Sequence, residues 1–191
     1  MSEINTEKSS SNTADKQMER TSGSKDKEQW LKFGEYSVTK HDMEVLESSR
    51  AWLEDNHMNA AQYLLSKQWP NIKGLEDVLL NKTETQGLKR IEANDSFVQI
   101  IHDSDDHWVV LSNCKSDKKD INCILYDSRL SSLHSTTSAD VRKALFSIYG
   151  SDRLQLDVKA VTQQTDSNQC GLYAIAFAQA LCSGEDPSSI L

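Results

Sequence analysis

The sequence contains no apolar run long enough to cross a membrane, and no apolar segment near its N-terminus that would act as a secretory signal. It has no Cys-x-x-Cys pair. Its four cysteines, Cys114, Cys123, Cys170 and Cys182, stand apart, which argues against a zinc knuckle. With no secretory signal, free thiols in a reducing compartment, nucleus or cytoplasm, are the expectation. There is no basic excess either: 21 Lys and Arg face 29 Asp and Glu, a net charge of −8. Non-specific nucleic-acid binding depends on basic surface to release counterions, so that class is disfavoured. The small basic stretch "KSDKKD", residues 115–120, reads as a solvated hairpin tip. No internal repeat and no phosphate-cradling glycine loop is present. Large apolar side chains are almost missing from residues 1–28, which are Ser, Thr, Lys, Glu and Asp in mixed order. Such a segment cannot bury enough surface to offset chain entropy, so a disordered tail is expected. The rest, 29–191, is long enough for one sizeable core. No metal, no cofactor, no nucleic acid and no membrane are expected, and the chain is expected to be a monomer.

What is present is a mixed order of helical and strand patterns. "KHDMEVLESS" carries Met43 and Leu46 three apart and suggests a short helix. "EDNHMNAAQYLLSKQW" is a stronger one: Met58, Ala61, Leu64 and Leu65 recur at helical spacing, Asp55 can cap the start, and Pro70 ends it. "GLEDVLLNK" suggests another short helix. "SFVQII" and "HWVVLSN" are rich in β-branched and aromatic residues and are separated by "HDSDD", which predicts an antiparallel hairpin. "NCILYDS" predicts a third strand. "TSADVRKALFSIY" is a capped helix with Val141, Leu145 and Ile148 on one face. "LQLDVKAV" alternates as a strand, with Leu154, Leu156 and Val158 on one side. The mixed order suggests an α+β fold rather than repeated βαβ units.

The chemistry gathers around "QQTDSNQCGLYAIAFAQAL", where a polar loop gives way at Cys170 to an almost wholly apolar helix. A thiol in a helix's first turn lies beside unpaired backbone N–H groups at the positive end of the dipole, a setting that favours thiolate. A lone cysteine beside an apolar run is otherwise a packing residue. A nucleophile needs a base and a group to orient that base. His107, opening the second strand, and His102, ending the first, are the two histidines placed for it. Asp127, at the end of the third strand, emerges near His107 if the strands pair, and would set its tautomer. Acyl transfer also needs a donor for the developing oxyanion. Gln164 can supply an amide N–H without titrating, and Gln163 is its neighbour and rival.

His-Trp, a strand ending in Tyr-Asp-Ser, and Gln-Gln ahead of Cys-Gly, in that order, resemble the ubiquitin-like-protein-specific cysteine proteases. These are the SUMO/sentrin-specific proteases, with the adenovirus protease as a more distant relative. "AWLEDNHMNAAQYLL" resembles the segment upstream of the histidine in that family, so the resemblance spans roughly residues 35–183. It implies a papain-like α+β fold, a small mixed sheet flanked by helices with the nucleophile at the N-terminus of a buried helix. It implies cleavage after the Gly-Gly tail of a ubiquitin-like modifier, most readily SUMO processing or deconjugation, with that modifier or its conjugates as partner. His107 would be the general base, Asp127 its orienter, Cys170 the nucleophile and Gln164 the oxyanion donor. Trp52 and Trp108 match the two tryptophans that clamp the substrate glycines, although indoles at both positions would equally suit a core. Asp55 and Asn59 match substrate-side positions, and Gly171 would leave room for a close substrate backbone. The loop departs from the family's Pro-Gln-Gln-x-Asn-Gly-x-Asp-Cys-Gly: the proline, the glycine and the Asp before the cysteine are absent, with Thr162, Ser167 and Gln169 in their places. After the cysteine helix the family usually continues with further helical structure, whereas "GEDPSSIL" follows here, so a shortened catalytic domain is expected. The alternatives are a weak or inactive modifier-binding module, a polyprotein-processing protease of a viral or mobile element, and an acyltransferase on the same scaffold.

Overall fold

In the computed structural model, the described residues are 28–82, 87–92, 94–103, 106–114, 123–129, 138–150 and 155–189. The expected tail (apart from Glu28), the basic stretch 115–120 and Leu154 lie outside them.

The described part begins with a hairpin, where Trp30, Leu31, Phe33 and Tyr36 mark the onset of order in the sequence. Strands β1 (Gln29–Phe33) and β2 (Tyr36–Thr39) pair antiparallel around Gly34, whose φ of +60° suits a residue without Cβ. Thr39 ends the hairpin and starts helix α1 (Lys40–Glu47) through a reciprocal cap: the Thr39 hydroxyl accepts from the Asp42 N–H at 3.2 Å, and Asp42 accepts from the Thr39 N–H at 2.6 Å. The buried face of α1 is Asp42 and Val45; Leu46 of the expected pair points outward.

Helix α2 (Asp55–Gln68) lies close to the expected boundaries, but Glu54 is its N-cap residue and Asp55 is the first residue within it. The Glu54 N–H donates to His57 Nδ1 at 3.0 Å, and His57 Nε2 donates to the Asp42 carbonyl at 2.9 Å. That pair of partners fixes the imidazole with its proton on Nε2. The apolar stripe is also revised. Met58, Ala60 and Leu65 are buried, Leu64 is exposed, and the polar side chains of His57, Asn59 and Gln62 fill the rest of the contact face. Asn59 accepts from the Val78 N–H at 2.9 Å, and Gln62 accepts from the Ile100 N–H at 2.9 Å while donating to the Glu76 carbonyl. These amides satisfy backbone groups that have no ladder partner where the sheet meets the helix. The segment read as a third short helix divides into strand β3 (Lys73–Gly74) and a 3-10 turn over Val78–Lys82.

Strands β4 (Phe97–Asp103), β5 (His107–Ser112) and β6 (Cys123–Tyr126) form the antiparallel centre of a five-stranded sheet of order β3-β4-β5-β6-β7. The outer strands β3 and β7 (Leu156–Lys159) run parallel to their neighbours, so the sheet is mixed. In the β4–β5 hairpin Asp103 sits opposite His107, and in the next pair Val110 sits opposite Tyr126. Helix α3 (Ala139–Tyr149) is capped by the Ser138 hydroxyl on the Val141 N–H at 3.1 Å and stopped by left-handed Gly150. Helix α4 (Cys170–Ser183) begins at the cysteine as expected and ends at left-handed Gly184. It is not buried all round: Leu172 is exposed.

Each side of the sheet has its own core. Val98, Ile100, Trp108, Val110, Ile124 and Tyr126 pack with Met58 and Leu65 of α2 and with Cys170, Phe177 and Leu181 of α4. Phe97, Ile101, Val109, Leu111, Cys123 and Leu125 pack with Val141, Leu145 and Ile148 of α3. The architecture is α+β, a mixed sheet flanked by helices. Among the described residues no helix is long and apolar enough to cross a membrane.

Candidate active site

The antiparallel β5–β6 ladder brings the start of β5 beside the end of β6, and there His107 meets Asp127. Nε2 of His107 lies 2.6 Å from Asp127 Oδ1, with both residues buried. A carboxylate only accepts, so Nε2 carries the proton and Nδ1 is the ring atom left for exchange. Nδ1 is buried and has no hydrogen-bond partner, and the Cys170 thiol is the group that interacts with the ring from α4. His102, the rival base, is elsewhere: it packs edge-on to Trp108 at 4.6 Å between ring centroids and faces Asp106.

The electrostatics follow from this placement. Burial alone would push the His107 pKa down; the hydrogen bond to Asp127, the neighbouring Cys170 thiol and the Asp127 charge outweigh it and raise the value to about 9. Burial likewise opposes ionisation of Cys170. It is overcome by the neighbouring His107 ring, the Trp108 backbone N–H, and the charges of His107 and Arg129, which together hold the thiol below its ordinary value. The contrast with Cys123 shows what the partners contribute, because burial pushes that thiol far up. Opposite shifts on neighbouring groups favour a thiolate–imidazolium pair.

The loop ahead of Cys170 is tied to the end of β6. The Gln164 N–H donates to the Ser128 carbonyl at 2.9 Å, and the Ser128 hydroxyl donates to Gln164 Oε1 at 2.7 Å. Gln164 Nε2 donates to the Asp166 carbonyl at 2.8 Å, which fixes the amide orientation and leaves its second hydrogen for a ligand. Gln163 turns its Nε2 to the carbonyls of Val161, at 3.0 Å, and Asp127, at 3.3 Å.

Trp52, Asp55, His102 and Trp108 line a cleft of about 430 Å³. Trp52 is exposed, whereas Trp108 is buried and its indole N–H donates to the Leu53 carbonyl at 2.9 Å. Trp108 therefore belongs to the core and to the cleft wall at once. Asn59 is not available to a ligand there, being buried on the Val78 N–H.

Residues 56–190 match the profile of the Ulp1 protease family C-terminal catalytic domain. The chain belongs to the Ulp1 protease family. Solved Ulp1 structures share its fold. The C-terminal Ulp1 protease domain in complex with Smt3, the yeast ortholog of SUMO, is 17% identical with a TM-score of 0.62, over 86% of this chain and 80% of that one. A SUMO protease Ulp1 whose catalytic cysteine is oxidised to a sulfinic acid is 17% identical with a TM-score of 0.57, over 79% of this chain and 75% of that one. The Ulp1-like SUMO protease catalytic domain of Chaetomium thermophilum is 15% identical with a TM-score of 0.52, over 81% and 72%. No curated protein matches by sequence. Membership of the Ulp1 family makes this chain a cysteine peptidase domain.

Gly171 departs from the expected use. It is buried, and a Cβ built on it would stand 2.8 Å from Leu53 Cβ and 3.0 Å from Met58 Cε. The missing side chain lets α4 approach the Leu53–Met58 segment, so the space is filled by the protein's own core and not by a substrate backbone. Ser128 and Arg129 were the residues missed as site components. Ser128 was visible as the end of the Tyr-Asp-Ser motif, but its hold on Gln164 spans 36 residues of sequence and has no local signature.

Proposed function

We propose that this peptidase cleaves after the Gly-Gly tail of a SUMO-like modifier, releasing it from a precursor or from a lysine conjugate. In this reading Cys170 Sγ attacks the carbonyl carbon of the terminal glycine. Its proton resides on His107 Nδ1, with Asp127 holding Nε2 and stabilising the imidazolium. The carbonyl oxygen becomes an oxyanion, met by the Cys170 backbone N–H in the first turn of α4, where no intrahelical partner exists, and by the second Gln164 N–H. The C–N bond then breaks, His107 gives its proton to the departing amine, and a thioester remains. Water, deprotonated by the same imidazole, attacks the thioester and frees the glycine carboxylate and the thiol. The exposed Trp52 beside the buried Trp108 suits a cleft that admits glycine and rejects side chains. The observation that carries the proposal is the 2.6 Å His107–Asp127 pair beside the depressed Cys170 thiol. The nucleus or cytoplasm, both reducing, suits its four free cysteines.

The test is a panel of modifiers ending in Gly-Gly with a thiol-reactive C-terminus, read by mass on the Cys170 peptide. Labelling by the SUMO probe, lost in Cys170→Ser, is expected. Folded protein that no probe labels at Cys170 would sink the proposal. A second reading, a modifier-binding module of weak activity, is favoured by one observation: the Gln164 amide already donates to Asp166. On that reading SUMO binds with unchanged affinity to Cys170→Ser, and the native protein shows no turnover.

A further inference from the structure

Arg129 is exposed and is not itself a member of the thiol–imidazole–carboxylate set, yet it touches three parts of the site. Its backbone N–H donates at 2.7 Å to Asp127 Oδ1, the oxygen that also receives His107. Its Nη2 donates to the Ser167 carbonyl at 3.1 Å, in the turn ahead of Cys170. Its guanidinium carbon lies 5.7 Å from the centroid of the Trp52 ring. Trp52 and Ser167 line one cleft of about 660 Å³, separate from the cleft walled by Trp108, with Arg50 and Asn168 also in its wall. Asn168 repeats the connection from the loop side, donating to the Ser49 carbonyl at 3.1 Å.

We infer that Arg129 is a positioning residue for the reaction: it ties the Trp52 indole to the turn that carries the nucleophile, and keeps a cation beside the thiolate. A planar guanidinium can stack on an indole and donate in its own plane at the same time; an ammonium cannot do both. The tie fixes Trp52, otherwise exposed, at a set distance from Cys170, so the channel is formed before substrate arrives. Among the described residues the charged groups on the elements packed around the thiol are few. His107 comes from β5, and Asp127 and Arg129 from the end of β6. Asp166 comes from the cysteine loop, where Gln169 holds its carboxylate at 3.2 Å, and the α2 side presents apolar Leu53 and Met58. Within that set Arg129 lowers the thiol and the imidazole alike, and so works with His107 on the sulfur and against Asp127 on the ring.

The inference rests on Cys170 being the nucleophile, and its test has one arm that needs no substrate. Iodoacetamide alkylation of the Cys170 peptide is followed against pH in native protein, Arg129→Gln and Arg129→Lys. Steady-state kinetics are measured on SUMO joined through its terminal glycine to aminomethylcoumarin. In Arg129→Gln the alkylation midpoint moves to higher pH, and the rate below the midpoint falls about threefold. KM rises by roughly threefold to tenfold as Trp52 loses its hold. Arg129→Lys restores the alkylation profile through its charge but leaves KM raised. An unmoved midpoint or an unmoved KM in Arg129→Gln overturns the assignment, and full rescue of KM by lysine overturns the tie to Trp52. A native protein that alkylates with a depressed midpoint but never turns over SUMO-coumarin defeats the proposed function instead, and Arg129 is then judged on the alkylation arm.

Discussion

Gly171→Ala probes how the nucleophile helix is seated. The new methyl group would meet Leu53 Cβ at 2.8 Å and Met58 Cε at 3.0 Å. Met58 can swing its flexible end aside, but the Leu53 Cβ is fixed to the backbone and moves only if residues 52–54 move. Overpacking of this kind costs about 1–3 kcal/mol. Alanine returns about 0.5–1 kcal/mol over glycine within a helix. The net loss is roughly 0–2.5 kcal/mol, which for a domain of this size is a Tm drop of up to about 10 °C. Activity should suffer more than stability. The Leu53 carbonyl is the acceptor of the Trp108 indole, and Trp52 is its neighbour in the chain, so a shift of Leu53 disturbs both cleft walls. A shift of about 1 Å near reacting groups can cost 10²-fold, so a fall of at least tenfold in kcat/KM is expected in modifier cleavage. The control is Gly184→Ala. Gly184 has φ of +84° and nothing within 4 Å of a built Cβ, so it loses about 1–2 kcal/mol through backbone strain alone. It should lose comparable stability in urea titration and keep its kcat/KM. If Gly171→Ala keeps kcat/KM within about twofold of native where both proteins are folded, the seating argument is refuted.

Other outcomes follow from the same geometry. Asp127→Asn keeps the shape but leaves an amide opposite Nε2; kcat should drop roughly 10²–10⁴-fold with intact circular dichroism. Removing the oxyanion donor in Gln164→Ala should lower kcat by about 10²–10³-fold, with KM little changed; an equal loss in KM would instead make Gln164 a binding residue. The pH profile of kcat/KM should be bell-shaped. On the acid side activity falls as the thiolate takes a proton, at a pH below the ordinary thiol value because Cys170 is depressed. On the alkaline side it falls as the imidazolium that protonates the leaving amine is lost, near pH 9, because His107 is raised to about 9. An alkaline limb close to the ordinary histidine value would show that Asp127 does not hold the ring in solution.

Much of this was legible from local patterns. The β4–β5 hairpin shows in its β-branched residues, α3 in Val141, Leu145 and Ile148, and α4 in the abrupt change at Cys170, and all three are where the sequence places them. His107, Asp127 and Cys170 could be singled out because each sits at the end of a legible element. The β1–β2 hairpin was not legible, because Trp30 and Leu31 are both exposed and leave no one-sided apolar alternation to read. The inner face of α2 was misread because Asn59 and Gln62 are buried on backbone groups of distant segments, which hydrophobic spacing cannot foresee. Gly171 was assigned to substrate because a glycine after a nucleophile suggests open space. Only the placement of Leu53 shows that the space is occupied.

The sheet that separates the two cores also separates two kinds of mutational effect. Along β4, β5 and β6 the even-numbered apolar positions, such as Ile100, Val110 and Ile124, face the layer that holds Cys170, and the odd-numbered ones, such as Ile101, Val109 and Leu125, face α3. In a saturation scan read for both cellular abundance and catalysis, odd positions should lose the two together, since they only support the fold. Even positions should lose catalysis beyond what their abundance explains. Stabilising changes can then be sought on the α3 side, a sheet's thickness away from the chemistry, without the trade-off that usually accompanies rigidifying an active site.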